Sequence, residues 1–311
     1  MPTSILALAH YLPSEASVAG VRRPIFSEPG GPSDLALTAA REALAQAGLT
    51  TDAVDFIIFA TMTPDVTFPG AACFFQDKLQ CGTTGALDIR GQCTGFLMGL
   101  MIADSFLQAG TYRHVLLAAG EVHSSGLDYS ERGARVAALY GDGAAVTLLG
   151  HAAEGCGLRA VVCHSDGRLH DRFWCEYPAS RQHPVRITVD DVRAGRQFPT
   201  LDFDTVERFG REHLPAAVRE ALAAAQSDVD SVDCFVLSHI LPEVAESAAA
   251  ALALPRSRWI NAGEAHGHLT AATLPVALSE AVGDGRLGKG ATVCLAACGA
   301  GFAWGSAVLT L

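Results

Sequence analysis

The chain has no run of basic residues and no apolar stretch approaching the ~20 residues that a membrane-spanning helix needs. Its 22 lysines and arginines face 33 aspartates and glutamates, a net charge of −11. That balance argues against nucleic acid or an anionic membrane surface as a partner. Charged residues make up only 18% of the 311 residues and aromatics 7%, whereas half are hydrophobic. A chain of this size and composition can bury one large core or two fused ones. Nine cysteines, an odd number, show no paired spacing. They predict reduced thiols in a cytoplasmic protein and not a disulfide framework. The N-terminal run Met1–Ala9 lacks a basic flank and is too short for a secretory signal.

Strand-like and helix-like segments alternate along the chain. The pattern predicts helices over Ser33–Gly48 (Ser33 as N-cap, Gly48 closing), Pro69–Leu79, Thr205–Ala225, Pro242–Leu252 and Leu269–Val282. It predicts strands over Val54–Thr61, Leu158–His164 and Cys234–Ser238, another ending at Leu87, and another over His114–Ala119. Two hairpins are expected. One joins Val136–Tyr140 to Ala145–Leu149 through Gly141-Asp142-Gly143, the other Val293–Ala297 to Phe302–Leu309 through Gly299-Ala300-Gly301. Each half thus ends in the same device, which predicts two similar α/β halves divided near residues 155 and 156. Residues 165–202, rich in Arg, His, Asp and Pro, read as a surface excursion, a lid or a wall at the substrate entrance.

The segment Ala86–Leu100 reads as strand, glycine turn and helix, with Cys93 at the first turn. The helix continues through Met101, Ile102, Phe106 and Leu107 and is apolar on nearly every face, so it belongs inside the domain. Most cysteines in such places are inert core residues. Here the unpaired N–H groups and the positive helix end predict a thiol pKa below its free value of ~8.5 and a seat for an oxyanion. Three later features can join it at one rim of a parallel sheet. They are His239 at the end of an apolar strand, His268 opening a helix, and the turn at Ala300. A lone histidine at a strand end is usually structural. A thiol with two imidazoles suits acyl transfer from a thioester. A metal site from His266, His268 and Cys298 is the weaker reading, because zinc sites show tighter Cys/His clusters.

These residues, taken with Tyr11-Leu12-Pro13, Phe68-Pro69-Gly70-Ala71-Ala72-Cys73, Cys93-Thr94-Gly95-Phe96, Tyr140-Gly141-Asp142-Gly143-Ala144-Ala145, His164-Ser165-Asp166-Gly167, His268–Pro275 and Gly299–Ala307, carry a resemblance. The chain resembles the β-ketoacyl-acyl-carrier-protein synthase III family of the thiolase superfamily over nearly its whole length. The resemblance implies a thiolase-like α/β fold, two halves (1–155 and 156–311) with mixed five-stranded sheets layered between helices as αβαβα. It implies Cys93 as the acylated nucleophile, His239 as the first active-site histidine and Ala300 as an oxyanion-hole amide. It further implies Phe68 as a residue reaching a dimer partner's acyl pocket and Arg132 as a nucleotide contact. No cofactor is implied, and the partners are acyl-CoA or acyl-carrier-protein thioesters and a second subunit in a homodimer or heterodimer.

The departures are as specific as the matches. His268 stands where this family usually has asparagine, giving a Cys–His–His set like that of chain-elongating ketosynthases. Residues Ser14–Ser33 are shortened and lack tryptophan, with Arg22 or Arg23 as the available substitutes. Ile240-Leu241-Pro242 replaces Gln-Ala-Asn. Glu243 and Glu246 occupy a helix expected to be basic, which leaves Arg208 as the carrier-docking candidate. Cys298 replaces an aromatic residue and is expected to widen the substrate pocket, a packed thiol being the plainer alternative. The leading function is acyl loading on Cys93 followed by decarboxylative condensation with a malonyl-type thioester. The alternatives are acyl transfer to a hydroxyl or amine and a partner-dependent subunit.

Overall fold

The computed structural model describes residues 2–151 and 155–311. Met1, the first residue of the run inspected for a signal, and residues 152–154, just before the expected division of the chain, lie outside the described residues. Strands β1 (Thr3–Tyr11), β2 (Glu15–Val18) and β3 (Val21–Pro24) precede helix α1 (Pro32–Ala47). Then come β4 (Phe56–Ala60), α2 (Ala71–Leu79), β5 (Gly85–Ile89), α3 (Gly95–Gln108), β6 (His114–Glu121), α4 (Ala134–Ala137) and β7 (Gly143–His151). The second half holds β8 (Gly157–Ser165), β9 (Phe173–Trp174), α5 (Val189–Arg193), β10 (Thr200–Leu201), α6 (Phe203–Ala224) and β11 (Cys234–Ser238). It ends with α7 (Pro242–Ala251), β12 (Trp259–Asn261), α8 (Thr273–Gly283), β13 (Thr292–Gly299) and β14 (Ala303–Thr310).

Two five-stranded sheets share one topology. The first runs β1-β7-β6-β4-β5 and the second β8-β14-β13-β11-β12. In each, the last two pairings named are parallel and the first two antiparallel. Helices α3 and α8 lie between the sheets. Phe96, Leu97, Leu100, Leu274 and Leu278 pack there against Ile58 and Leu117 of one sheet and Val236 and Leu295 of the other. The outer face of the first sheet is covered by α1 and α2, that of the second by α6 and α7. The molecule is therefore the expected αβαβα thiolase-like fold. The all-round apolar α3 is explained by its place: it has a sheet on either side.

Two local expectations are corrected. Ser33 is not the N-cap of α1. Gly31 holds that position and Pro32 the first turn, while the Asp34 carboxylate accepts the Gly31 N–H at 2.8 Å. The Ser33 hydroxyl instead donates to Asp65 at 2.5 Å and accepts from Lys78. Nor do Val136–Tyr140 and Ala145–Leu149 form a hairpin. The first lies partly in α4, and β7 pairs with β1 and β6. The reason is Asp142, whose carboxylate accepts the N–H groups of Phe26 and Ser124 at 2.8 and 2.9 Å and ties the turn to other segments. The second predicted hairpin forms as β13 and β14. The excursion at 165–202 contains only short elements, the two-stranded β9–β10 ribbon and α5.

Close approach of α3 to β6 depends on Gly99, where an added Cβ would run into the Leu117 side chain. Gly99→Ala is therefore expected to lower stability by about 1–3 kcal/mol through overpacking, despite alanine's better helix propensity. Urea unfolding followed by circular dichroism measures this, and an unchanged midpoint would refute the close-packed α3–β6 contact.

Candidate active site

Each chemically competent side chain follows the C-terminal end of a parallel strand, where backbone leaves the sheet and side chains face a common crevice. Cys93 follows β5, His239 follows β11, Ala300 follows β13, and His268 lies in the connection from β12 to α8. Cys93 sits in a 3₁₀ turn, Gln92–Thr94, one step before α3 begins. Gln92 adopts φ 44°, a left-handed conformation costly for a residue with a side chain, so the packing holds the thiol on a strained turn. Gly299 makes room for it, since a Cβ there would collide with the Cys93 sulfur.

The structure brings Cys93, His239, His268 and Ala300 to this crevice. Cys93 and both histidines are almost fully buried. The Cys93 Sγ lies 3.1 Å from His268 Nε2, and His268 Nδ1 faces the Thr273 hydroxyl at 3.5 Å. Burial, then the neighbouring His123 and His239, hold His268 well below the ordinary imidazole pKa. It is thus a neutral ring able to accept a proton. His239 Nδ1 accepts the Leu241 N–H at 3.1 Å, which leaves the proton on Nε2. Burial lowers its pKa to about 4. The Nε2 edge faces Gly210 of α6, where a Cβ would stand only 2.5 Å away. The N–H groups of Ala300 and of Cys93 itself both point at the sulfur.

The expected depression of the Cys93 pKa is overturned. Burial pushes the thiol up to about 12, the two N–H groups offset only part of this, and nearby Glu121 adds to the rise. Desolvation of a thiolate in a closed chamber outweighs a helix end whose first turn begins beyond the sulfur. The resting nucleophile is a thiol, and the proton's nearest acceptor is His268.

Behind these residues lies a polar frame that sequence reading missed. Glu121 is fully buried at the end of β6. Its carboxylate accepts the Thr63 hydroxyl at 2.7 Å, the Thr61 hydroxyl at 3.2 Å and the Met62 and Thr63 N–H groups at 3.1 Å. It also receives the Ala271 N–H, three residues after His268. Glu121 therefore ties the ends of β4 and β6 to the His268 turn. Desolvation nevertheless raises its pKa to about 7. His123 donates to or accepts from the Thr270 hydroxyl at 2.8 Å, and Tyr140 packs between His123 and His268. A carboxylate and an imidazole directly after the apolar strand His114–Ala119 were the available signal.

The remaining candidates are dispersed. Phe68 is 81% exposed, with Val66 nearby also exposed. Arg132 is half exposed, bonded to Asp128 at 2.7 Å and to the Ala194 carbonyl at 3.0 Å. It lines a cleft of about 370 Å³ with Arg135, Arg196 and Phe203. Arg208 projects from the exposed face of α6. Cys298 is fully buried in the outer core with Phe209 and Phe302. It does not line the cavity of about 650 Å³ that opens at Ala300 and Gly301, so it packs where a pocket wall was expected. His266 is engaged by Glu280 at 2.7 Å. No group of three or more candidate metal ligands is found among the described residues.

The chain is similar to known proteins over most of its length. The family described as 3-oxoacyl-[acyl-carrier-protein (ACP)] synthase III matches residues 87–167, and its C-terminal region matches residues 222–311. Beta-ketoacyl-[acyl-carrier-protein] synthase III of Rhodospirillum centenum is 38% identical over 292 residues, covering 92% of this chain and 86% of that one. The Clostridium perfringens protein of the same name is 30% identical over 293 residues, covering 94% and 88%. Among solved structures, 3-oxoacyl-(acyl carrier protein) synthase III, FabH, from Pseudomonas aeruginosa PAO1 superposes with a TM-score of 0.88 at 27% identity, covering 100% of this chain and 98% of that one.

Two outcomes follow from these ionisation states. Alkylation of Cys93 by iodoacetamide should keep accelerating from pH 6 to pH 10, since the thiolate fraction grows until about pH 12. A plateau near pH 7 would show a depressed thiol instead. For Glu121, the folded-state pKa of about 7 exceeds the ordinary 4.5. The folded state then binds the proton more tightly, so its stabilising contribution is full below pH 4.5 and is lost as pH rises through 7. Urea midpoints should fall between pH 5 and 8 in the wild type and fall less in Glu121→Gln. Equal slopes in the two proteins would refute it.

Proposed function

The chain belongs to the 3-oxoacyl-[acyl-carrier-protein] synthase III family, and on that premise we propose that it forms an acyl thioester on Cys93 and condenses it with a malonyl-type thioester. The observation that carries this reading is the 3.1 Å contact between Cys93 Sγ and His268 Nε2 beside two converging N–H groups. In loading, the Cys93 proton passes to His268 and the sulfur attacks the donor's thioester carbonyl. The oxyanion is held by the N–H groups of Cys93 and Ala300. The departing thiolate takes a proton from solvent, and the Cys93 proton stays on His268 Nε2. In condensation, the malonyl-type thioester loses carbon dioxide, and its enolate oxygen is held by N–H groups of His239 and His268. The enolate carbon attacks the acyl carbonyl, the new C–C bond forms, the C–S bond to Cys93 breaks, and the thiolate sulfur takes its proton back from His268 Nε2.

The remaining assignments belong to the same reading. Residues 1–155 supply the nucleophile, and 156–311 the histidines and the oxyanion turn. Arg132 meets the nucleotide end of coenzyme A, and Arg208 contacts the carrier protein. Phe68, exposed beyond what an isolated subunit needs, inserts into a second subunit in a homodimer or a related heterodimer. The chain works in the cytoplasm in fatty-acid-derived or secondary-metabolite synthesis. A second reading, transfer to a hydroxyl or amine, draws on the same neutral His268, which can take the acceptor's proton.

Intact mass after incubation with acyl thioesters should rise by one acyl group in the wild type and not in Cys93→Ala. An adduct persisting on the alanine variant would remove the assignment. His268→Ala should reduce carbon dioxide release from malonyl-thioester by about 10²–10³-fold, the cost of one oxyanion donor. Measured on enzyme already acylated at Cys93, so that proton acceptance in loading does not enter, His268→Asn should recover part of it, because an amide donates as an imidazole N–H does. Asparagine accepts no proton at neutral pH, so under the transfer reading it would be as poor as alanine.

A further inference from the structure

Tyr140 carries a polar group that the steps above leave unused. Its phenolic oxygen is buried and has no hydrogen-bond partner among the described residues. The residue itself is only 1% exposed. An unpaired buried hydroxyl is costly, and a phenylalanine would fill the same volume without that cost.

The ring cannot turn away. Tyr140 and His268 are partners in a parallel bridge. The His268 N–H donates to the Leu139 carbonyl at 2.7 Å, and the Gly141 N–H donates to the His268 carbonyl at 3.3 Å. The ring centroids of the pair lie 6.2 Å apart. On its other side the phenol packs on His123 at 4.4 Å, and His123 is itself fixed by Thr270. The hydroxyl is thus clamped beside the imidazole that touches the nucleophile. Burial keeps its pKa well above 10, so it remains a donor at any working pH.

Counting donors shows what is left over. The thioester oxygen has the N–H groups of Cys93 and Ala300, and the enolate has the two imidazoles. The Tyr140 proton therefore needs a different oxygen. Tyr140 is not itself in the wall of the cavity of about 650 Å³ that opens at Ala300 and Gly301, but Cys175, which is, lies close enough to interact with it electrostatically. Beside apolar residues such as Met62, Phe173 and Trp174, that wall carries Arg90, His170 and Arg186 and no carboxylate. Neither arginine has an ion-pair partner among the described residues. Those two cations are available to an oxygen on a bound chain.

We propose that Tyr140 is a specificity-determining residue whose hydroxyl donates to an oxygen on the acyl chain loaded on Cys93, so that the enzyme prefers hydroxy-, oxo- or carboxyacyl thioesters to hydrocarbon ones. The inference rests on the reading of Cys93 as the acylated residue. The test compares wild type with Tyr140→Phe, using butyryl-, 3-hydroxybutyryl-, 3-oxobutyryl- and succinyl-coenzyme A, four donors of equal chain length. Initial acylation rates are read by intact mass, and wild-type iodoacetamide labelling of Cys93 verifies an intact site in the variant. At least one oxygenated donor should load faster than butyryl in the wild type. Tyr140→Phe should shrink that preference by about 5- to 10-fold, the worth of one neutral hydrogen bond, with butyryl loading kept or raised. A ratio to butyryl that is unchanged for all three oxygenated donors would overturn the proposal and leave acylation of Cys93 standing. No adduct from any donor on the wild type would overturn both.

Discussion

The arrangement depends on removing one thiol and two imidazoles from water. Burial is the main reason that the Cys93 pKa rises to about 12 and that of His239 falls to about 4, so the charged forms are costly at rest. A chamber of neutral groups results. A thiolate formed there would meet the Cys93 and Ala300 N–H groups, which already point at the sulfur. In a low dielectric each such donor is worth more than in water.

Holding that chamber shut is the task of the two sheets. Their parallel strands end at one rim, so segments far apart in sequence deliver Cys93, His239, His268 and Ala300 together. Helices α3 and α8 are packed between the sheets; the short 3₁₀ turn before α3 carries Cys93, and the one before α8 follows His268. Glu121 links β4, β6 and the turn after His268 through one carboxylate. The glycines at 299 and 210 are the reverse of this support: they keep space in front of the sulfur and of the His239 Nε2.

The fold was legible because periodicity and apolar runs are strong signals for buried strands and an all-round buried helix. Cys93 was legible from its strand–glycine–helix setting, and the histidines from their places at element ends. The failures have physical causes. Val136–Tyr140 is apolar enough for a strand, but Asp142 binds Phe26 and Ser124 and redirects the turn. Ser33 is a good capping residue, yet Gly31 and Asp34 do that work from two residues before and one after. Cys298 sits beside the oxyanion turn in sequence, but the alternation of β13 turns its side chain into the outer core.

Sequence by itself determined the two-half αβαβα architecture and the family that the chain belongs to, and it singled out Cys93 as the candidate nucleophile, because these rest on local pattern and on residue type at fixed spacing. Tertiary structure decided the ionisation of the site. A helix end argues for a thiolate, and only the packed surroundings reveal that desolvation outweighs it. It also decided which polar groups meet: Glu121 with the His268 turn, His123 with Thr270, and Tyr140 beside His268. Those partners lie up to 150 residues apart along the chain, and no spacing rule connects them, because their distances are set by how two sheets and two central helices pack.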